Sequence, residues 1–195
     1  EDLLRMQTPE QMQKLTDQLL ETATDAELSA LNLWSGETYS LINRYARYGV
    51  HVDEISRNAA DNIEKLLARM KTPEDMIVRR GTGTRHIFEK MPSGWKEDPT
   101  LLVGHSFSDK GFTATSPFKK GGFSGEGKDN AELFIKVPKG THGAYIETVA
   151  HNDLEKEFLL QKGYSYRIIK AEYVYNNPYF PDEPKLRVYV ELFKE

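Results

Sequence analysis

Two glutamates separated by a single position, Glu155 and Glu157, are the residues of this chain best placed to do chemistry. They stand directly before the apolar run 158–160. In an extended segment side chains alternate between two faces, so both carboxylates would point the same way, roughly 7 Å apart. Like charges on one face repel each other unless water, a cation or a ligand lies between them. The E-x-E spacing therefore predicts either a solvated strand start or a ligand site, and by itself it is a weak pattern.

Two further segments carry polar groups that would suit a ligand. Arg79 and Arg80 end a short β-like run, and Thr115 and Ser116 end a second run that is rich in hydroxyl groups. Either segment alone is typical of a protein surface or a sheet edge. An arginine, a hydroxyl-lined strand and two carboxylates on adjacent strands would together suit a ligand with phosphates at one end and a ribose at the other.

The composition indicates a soluble globular protein of ordinary size. The chain has 195 residues, of which 38% are hydrophobic and 29% charged, with a formal net charge of −4. That charge argues against a nucleic-acid surface spread over the whole protein and leaves a local basic cleft open. We expect no nucleic-acid partner, and no apolar run is long enough to span a membrane. Cysteine is absent, which excludes disulfides, thiolate metal sites and a cysteine nucleophile. The five histidines are scattered, so we expect no metal site. The first residue is Glu1, and we expect a mature or trimmed chain.

The order of the predicted elements indicates an α+β fold. Residues 8–70 show helical periodicity, with helix starts at Thr8-Pro9 and Thr24 and a break at Gly49. Strand-like segments then follow in a block instead of alternating with helices, which predicts a mainly antiparallel sheet. We expect one domain, residues 1–195, with a helical part at about 8–71 and a β-rich part at about 75–195. The predicted strands cover residues 76–80, 107–117, 131–137, 144–149, 158–160, 164–174 and 185–193.

Four segments carry a resemblance to a known family. Residues 34–43 match the helical pattern Y-x-G-x-x-Y-x-x-I-N, and residues 77–83 match a strand with an NAD-binding arginine. Residues 137–146 match the hairpin P-K-G-T-x-G-A-Y-I, and residues 155–160 match E-x-E-h-L-L, where h is hydrophobic. Together they resemble the mono-ADP-ribosyltransferases of the Arg/Ser-Thr-Ser/Glu-x-Glu class. Within that class the chain is most similar to binary-toxin enzymatic subunits and small secreted exoenzymes.

The resemblance implies a fold and an activity. The fold would have N-terminal helices packed on a mixed, mainly antiparallel, two-sheet β core. The activity would transfer ADP-ribose from NAD, used as a substrate without a metal, to an arginine of a host protein, with release of nicotinamide. The protein would be a monomeric secreted toxin that acts in the host cell cytosol. Actin is one possible target, although the expected single domain leaves no room for the adaptor domain of the binary-toxin subunits.

The resemblance also implies catalytic roles. Glu157 would accept a hydrogen bond from the ribose and stabilise the oxocarbenium-like transition state. Glu155 would bind the guanidinium acceptor and take its proton. Arg80 would hold the diphosphate, and Ser116 would brace the site together with Thr115. We favour Arg80 over Arg79 because Gly81 follows it directly.

Other residues would complete the NAD site. Phe123 and Lys128 belong to a glycine-rich segment, residues 119–128, which is predicted to form a loop over the site. Phe123 would contact the nicotinamide ring and Lys128 a phosphate. The alternative is a solvated loop without contacts to NAD. Gly81 would lie beside the diphosphate. Tyr39 would close the other side of the cleft, or else be a core residue. The loop 151–153 should face the target protein.

One position departs from the family pattern. The Ser-Thr-Ser motif falls on residues 114–116, and Ala114 replaces its first serine. That hydroxyl helps to position the catalytic glutamate in the family, and the loss of one hydrogen bond costs about 0.5–1.5 kcal/mol. Two other functions stay open: an NAD glycohydrolase whose acceptor is water, and a non-catalytic NAD-binding module, for which Ala114 is the only support.

Overall fold

The computed structural model describes residues 7–118, 130–147, 156–175 and 181–195, without the side chains of residues 85 and 86. Within these ranges, four long helices come first and the strands of two sheets follow, which confirms the predicted α+β class. The helices are α1 (Pro9–Thr22), α2 (Asp25–Trp34), α3 (Tyr39–Tyr48), α4 (Glu54–Arg69) and the short α5 (Thr84–Ile87), with a 3-10 turn at Pro99–Leu102.

Side-chain caps define where α1, α2 and α4 begin, whereas Thr38 makes no side-chain cap bond at the start of α3. Thr8 and Thr24, the predicted helix starts, each accept a hydrogen bond from a backbone N–H in the first turn. The side chain of the donating residue, Gln11 or Glu27, accepts in turn from the backbone N–H of the threonine.

Asp53 caps α4 by accepting from the Ser56 backbone N–H at 2.8 Å. Helix α3 ends at Gly49, whose φ of 60° lies in the left-handed region that favours glycine. The ends of these helices could be predicted from the sequence because caps depend on residues that are close along the chain.

The larger sheet has five strands in the order β1-β4-β8-β7-β2. Its β4–β8 pair is parallel and its other pairs are antiparallel, so the prediction of a mixed, mainly antiparallel sheet is confirmed. The strands are β1 (Met76–Thr82), β2 (Ser106–Asp109), β4 (Ala131–Val137), β7 (Tyr164–Val174) and β8 (Lys185–Phe193).

The smaller sheet has three antiparallel strands in the order β3-β6-β5, which are Thr113–Thr115, Phe158–Leu160 and Gly143–Tyr145. Its two faces pack against different layers. Phe158 and Leu160 belong to the hydrophobic cluster that contains β1, β4 and β8 of the larger sheet. Leu159 belongs to the cluster formed with α2, α3 and α4. The smaller sheet is therefore the middle layer between the larger sheet and the helices.

The strand predicted at 107–117 is wrong as a single element, because the chain turns within it and contributes β2 and β3 to different sheets. Helix α3 causes the turn. The Asn43 side chain accepts from the Phe112 N–H at 2.8 Å and donates to the Phe112 carbonyl at 3.1 Å. Arg47 binds both Asp109 oxygens at 2.9 Å. At Gly111 an added Cβ would stand 2.3 Å from the Asn43 Oδ1. The backbone must approach α3 closely here, and glycine allows it.

We predict that Gly111→Ala destabilises the fold by about 1–3 kcal/mol, which is the usual cost of overpacking. The added methyl group would displace the Asn43 amide that binds the Phe112 backbone. Urea unfolding followed by circular dichroism measures the effect. Gly83→Ala is the matched control, because a Cβ there meets no atom within 4 Å. Equal stabilities of the two variants would contradict this explanation of the turn.

Candidate active site

Glu157 lies immediately before β6, where the smaller sheet meets the helices. Its backbone carbonyl accepts from the Ile146 N–H at 3.0 Å, which extends the β5–β6 ladder by one pair. Its carboxylate Oε1 accepts from the indole Nε1–H of Trp34 at 2.9 Å. The side chain is half-buried. Both the backbone and the carboxylate of this residue are thus held in place.

Trp34, the last residue of α2, is the partner that the sequence reasoning missed. It is 4% exposed, and it packs edge-on against Phe112 at 5.7 Å and Tyr39 at 6.2 Å between ring centroids. The signal in the sequence was that Trp34 is the first residue of the segment 34–43, which matches the family pattern. Tyr39 itself is 55% exposed, which excludes the alternative that it is a core residue.

The two arginines of β1 point to opposite faces of the larger sheet. Arg80 shares a face with Met76 and Val78, which pack toward the smaller sheet, and its Nη1 donates to the Ala114 carbonyl at 2.8 Å. Arg79 lies on the outer face, where its Nε donates to Glu132 at 2.7 Å. Arg187 approaches the same carboxylate at 3.5 Å. Arg79 therefore belongs to a buried ionic network, and Arg80 points toward the layer that carries Glu157.

A backbone bridge joins the larger sheet to the smaller one at these residues. The Arg79 N–H donates to the Ser116 carbonyl at 2.8 Å, and the Ser116 N–H donates to the Arg79 carbonyl at 2.7 Å. Thr115 is buried, and its hydroxyl donates to the Phe158 carbonyl at 2.7 Å. The Ser116 hydroxyl donates to the Phe118 carbonyl at 3.1 Å. These contacts brace the strand that lies between Arg80 and Glu157.

Ala114 stands opposite Leu159 in the β3–β6 pair. Because side chains alternate along a strand, Glu157 points to the same face as Leu159, so position 114 is its diagonal neighbour. The alanine side chain has no hydrogen-bonding group that could reach Glu157. Within the described residues, the Trp34 indole supplies a donor from the helical layer instead.

The buried Tyr166 lies between the sheets on the Arg80 side. Its ring stacks on Phe107 at 5.2 Å between centroids. Burial raises the pKa of its hydroxyl to about 12, against the opposing effect of the Arg80 charge. Tyr166 is therefore neutral at physiological pH, and Arg80 is left as a positive charge on the β1 side. The Glu157 carboxyl group lies on the β6 side.

Several predicted site residues lie outside the described residues: Glu155, Phe123, Lys128 and the segment 151–153. Gly81 lies on β1 opposite Glu132 and is half-buried. Among the described residues, no group of three or more histidine, aspartate or glutamate side chains has an arrangement that would hold a metal ion. The same part of the chain has no helix that is both long and apolar enough to cross a membrane.

The architecture is that of bacterial ADP-ribosylating toxins. Plx2a, an ADP-ribosyltransferase toxin from Paenibacillus larvae, superposes with a TM-score of 0.79 at 21% identity, covering 95% of this chain and 94% of that one. BECa, an ADP-ribosylating toxin of a C. perfringens binary enterotoxin solved with NADH, also gives 0.79 at 23% identity, over 94% of this chain and 47% of that one.

The sequence identifies the family. Residues 9–192 match the model of the ADP-ribosyltransferase exoenzyme, so the chain belongs to the ADP-ribosyltransferase exoenzyme family. This confirms the resemblance. A relative in Enterococcus faecalis, NAD(+)–arginine ADP-ribosyltransferase EFV, is 25% identical over 150 residues, which cover 73% of this chain. The chain spans 28% of that relative's length.

We predict that Arg79→Ala lowers the free energy of unfolding by about 3 kcal/mol, because it removes one partner from a buried ion pair. The remaining pairing of Glu132 with Arg187 keeps the loss at the lower end of the usual range. Urea denaturation measures it. Arg80→Ala is the matched control and should lose less, since Arg80 donates to a backbone carbonyl and has no carboxylate partner among the described contacts. The reverse order would contradict the assignment of Arg79 to the structural network.

Proposed function

We propose that this chain transfers ADP-ribose from NAD to an arginine side chain of a protein and releases nicotinamide. The observation that carries the proposal is the Glu157 carboxylate, fixed by the Trp34 indole beside the strand that Arg80 contacts. Membership of the ADP-ribosyltransferase exoenzyme family supports it. So do the NADH in the similar BECa structure and the name of the Enterococcus faecalis relative, which specifies NAD and arginine.

The proposed role of Glu157 follows from the charge that develops during the reaction. Cleavage of the bond between nicotinamide and ribose leaves positive charge on the sugar, and a carboxylate beside the sugar stabilises that charge as it develops. An ionised carboxylate has about four lone-pair sites. Glu157 can therefore accept a hydrogen bond from a ribose hydroxyl while it keeps the bond from Trp34. A carboxylate that is already oriented needs little reorganisation when the charge appears.

Arg80 is our candidate for binding the diphosphate. Its guanidinium carries a permanent charge and five donors in a planar fork, which matches phosphate oxygens in two-point contacts. The Ala114 carbonyl engages its Nη1 and holds the side chain against the smaller sheet. Arg79 is less suited, because Glu132 already neutralises it on the other face. Gly81, Thr115 and Ser116 would support the same part of the site.

The other contacts to NAD and to the acceptor complete the proposal. The exposed Tyr39 ring, which packs on Trp34, would form one wall of the NAD site. Phe123 and Lys128 would contact the nicotinamide ring and a phosphate. Glu155 would bind the acceptor guanidinium and accept its proton as the attack proceeds. The arginine named in the relative's activity supports this role for a second glutamate.

We extend the proposal to a secreted toxin that acts as a monomer on a host protein in the host cell cytosol, with actin as one possible target. The toxins among the similar structures support secretion. Incubation with labelled NAD and host lysate, followed by identification of the labelled protein, would name the target.

We predict that Glu157→Gln lowers ADP-ribose transfer to agmatine by about 100-fold or more, because the amide cannot stabilise the sugar cation as a carboxylate does. Labelled NAD measures the transfer. Glu155→Gln should remove transfer to agmatine and spare NAD hydrolysis, because only the acceptor step needs its carboxylate.

Glu10→Gln, an exposed change in the first turn of α1, is the matched control and should leave both rates unchanged. Full transfer by both site variants would overturn the roles. If the wild-type chain released nicotinamide without labelling any acceptor, it would be an NAD glycohydrolase. NAD binding without turnover would make it the non-catalytic module.

We predict that Arg80→Lys raises the KM for NAD about tenfold or more, since hydrogen bonds to charged groups contribute about 1.5–3 kcal/mol each. Initial rates of nicotinamide release at varied NAD concentration measure the change, and the thermal midpoint should stay close to that of the wild type. Arg79→Lys is the matched control. A raised KM in Arg79→Lys together with a normal value in Arg80→Lys would reassign the diphosphate to Arg79.

A further inference from the structure

The Trp34 indole makes a contact that hydrophobic packing alone does not require. Its Nε1–H donates to the Glu157 carboxylate across 123 positions of sequence. An indole N–H that is buried must find an acceptor, because leaving it unpaired costs free energy. Here the acceptor is the carboxylate that we assign to the sugar cation. The bond therefore couples the end of α2 to the reacting centre.

The ring of Trp34 is held rigidly enough to set the direction of this bond. Phe112 and Tyr39 both contact it edge-on, and the ring is 4% exposed. Helix α2 is in turn fixed to α4, because Arg69 binds the buried Glu27 carboxylate. A donor that is locked by its neighbours positions its acceptor to within fractions of an ångström.

Position 114 is where the family motif would place a donor to Glu157. It is the diagonal neighbour of Glu157 on the same face of the smaller sheet, and its alanine brings a methyl group that packs against the helical cluster. A serine there would bring a hydroxyl within reach of a glutamate side chain, since diagonal neighbours are separated by about 7–8 Å before the side chains extend. In this chain the Trp34 indole donates to Glu157 from the opposite layer.

We propose that Trp34 is a positioning residue that orients Glu157 for catalysis, and that its indole N–H supplies the hydrogen bond that a hydroxyl at position 114 would otherwise provide. This inference rests on the proposed role of Glu157. Trp34 acts through the carboxylate and does not itself touch the sugar. Its effect should fall on turnover and leave NAD affinity nearly unchanged.

Trp34→Phe tests the proposal, because it keeps an aromatic ring and removes the donor. We expect kcat for nicotinamide release to fall about 10- to 100-fold, the range that corresponds to one hydrogen bond to a charged group. The KM for NAD should change by less than about threefold. Trp95→Phe is the matched control, because Trp95 packs on Phe88 in the other cluster, and its kcat should stay at the wild-type value.

The double variant Trp34→Phe with Ala114→Ser separates donation from packing. A serine at 114 should recover at least about half of the lost kcat on a logarithmic scale, although the smaller ring at 34 remains. Ala114→Ser alone completes the double-variant cycle and gives the kcat against which the recovery in the double variant is compared. A kcat in Trp34→Phe within twofold of the wild type would overturn the proposal. A double variant with no recovery would also overturn it, because the loss would then come from packing.

A second measurement does not depend on NAD turnover. The chain has two tryptophans, so indole labelling with nitrogen-15 gives two Nε1–H resonances, with Trp95 as the internal reference. Glu157→Gln should shift the Trp34 resonance and leave that of Trp95 in place. An unchanged Trp34 resonance would overturn the inference even in an active enzyme. An inactive wild-type chain with the expected shift would instead refute the proposed function and leave the contact standing.

Discussion

The short bridge between Arg79 and Ser116 is the constraint on which the site depends. Its two backbone hydrogen bonds tie β1 of the larger sheet to the end of β3 in the smaller one. The bridge brings Arg80 within reach of the Ala114 carbonyl, and Thr115 fixes the other edge of β3 to β6. Arg80 and Glu157, which are far apart in sequence, thereby lie on either side of one three-residue strand.

Because side chains alternate between the two faces of β1, its two arginines have different contacts. Arg79 faces outward, and its charge is used within a buried network with Glu132 and Arg187. Arg80 faces the smaller sheet and binds a carbonyl, which leaves its charge uncompensated by a carboxylate among the described contacts. A shift of one residue in the β1–β4 register would exchange these roles, because it reverses the two faces of the strand. The ion pair of Arg79 therefore also protects the orientation of Arg80.

The sequence predicted the features that depend on neighbours along the chain, and it failed where distant segments decide. The Thr24 cap, the end of α3 at Gly49 and the strands β4, β6, β7 and β8 follow from local pattern, whereas the strand predicted at 144–149 is found as β5 at Gly143–Tyr145. The break between β2 and β3 did not, because it depends on contacts of α3 with the turn at Gly111. The Trp34 donor was missed for the same reason. The sequence alone indicates that Trp34 is a core residue, because its acceptor Glu157 is 123 positions away.

That long-range contact changes how the alanine at position 114 should be understood. A sequence motif shows which residue types within one short segment supply a function. The Glu157 carboxylate, however, needs only a hydrogen-bond donor in the right direction, wherever that donor lies in the sequence. Helix α2 can supply it from the other layer because Phe112, which begins the approach to β3, also packs on Trp34. The same docking of α3 on the Phe112 backbone that splits the predicted strand therefore also sets the position of the indole. The position of the Trp34 indole and the split of the predicted strand therefore depend on one feature, the close approach of the helices to the chain at 111–112.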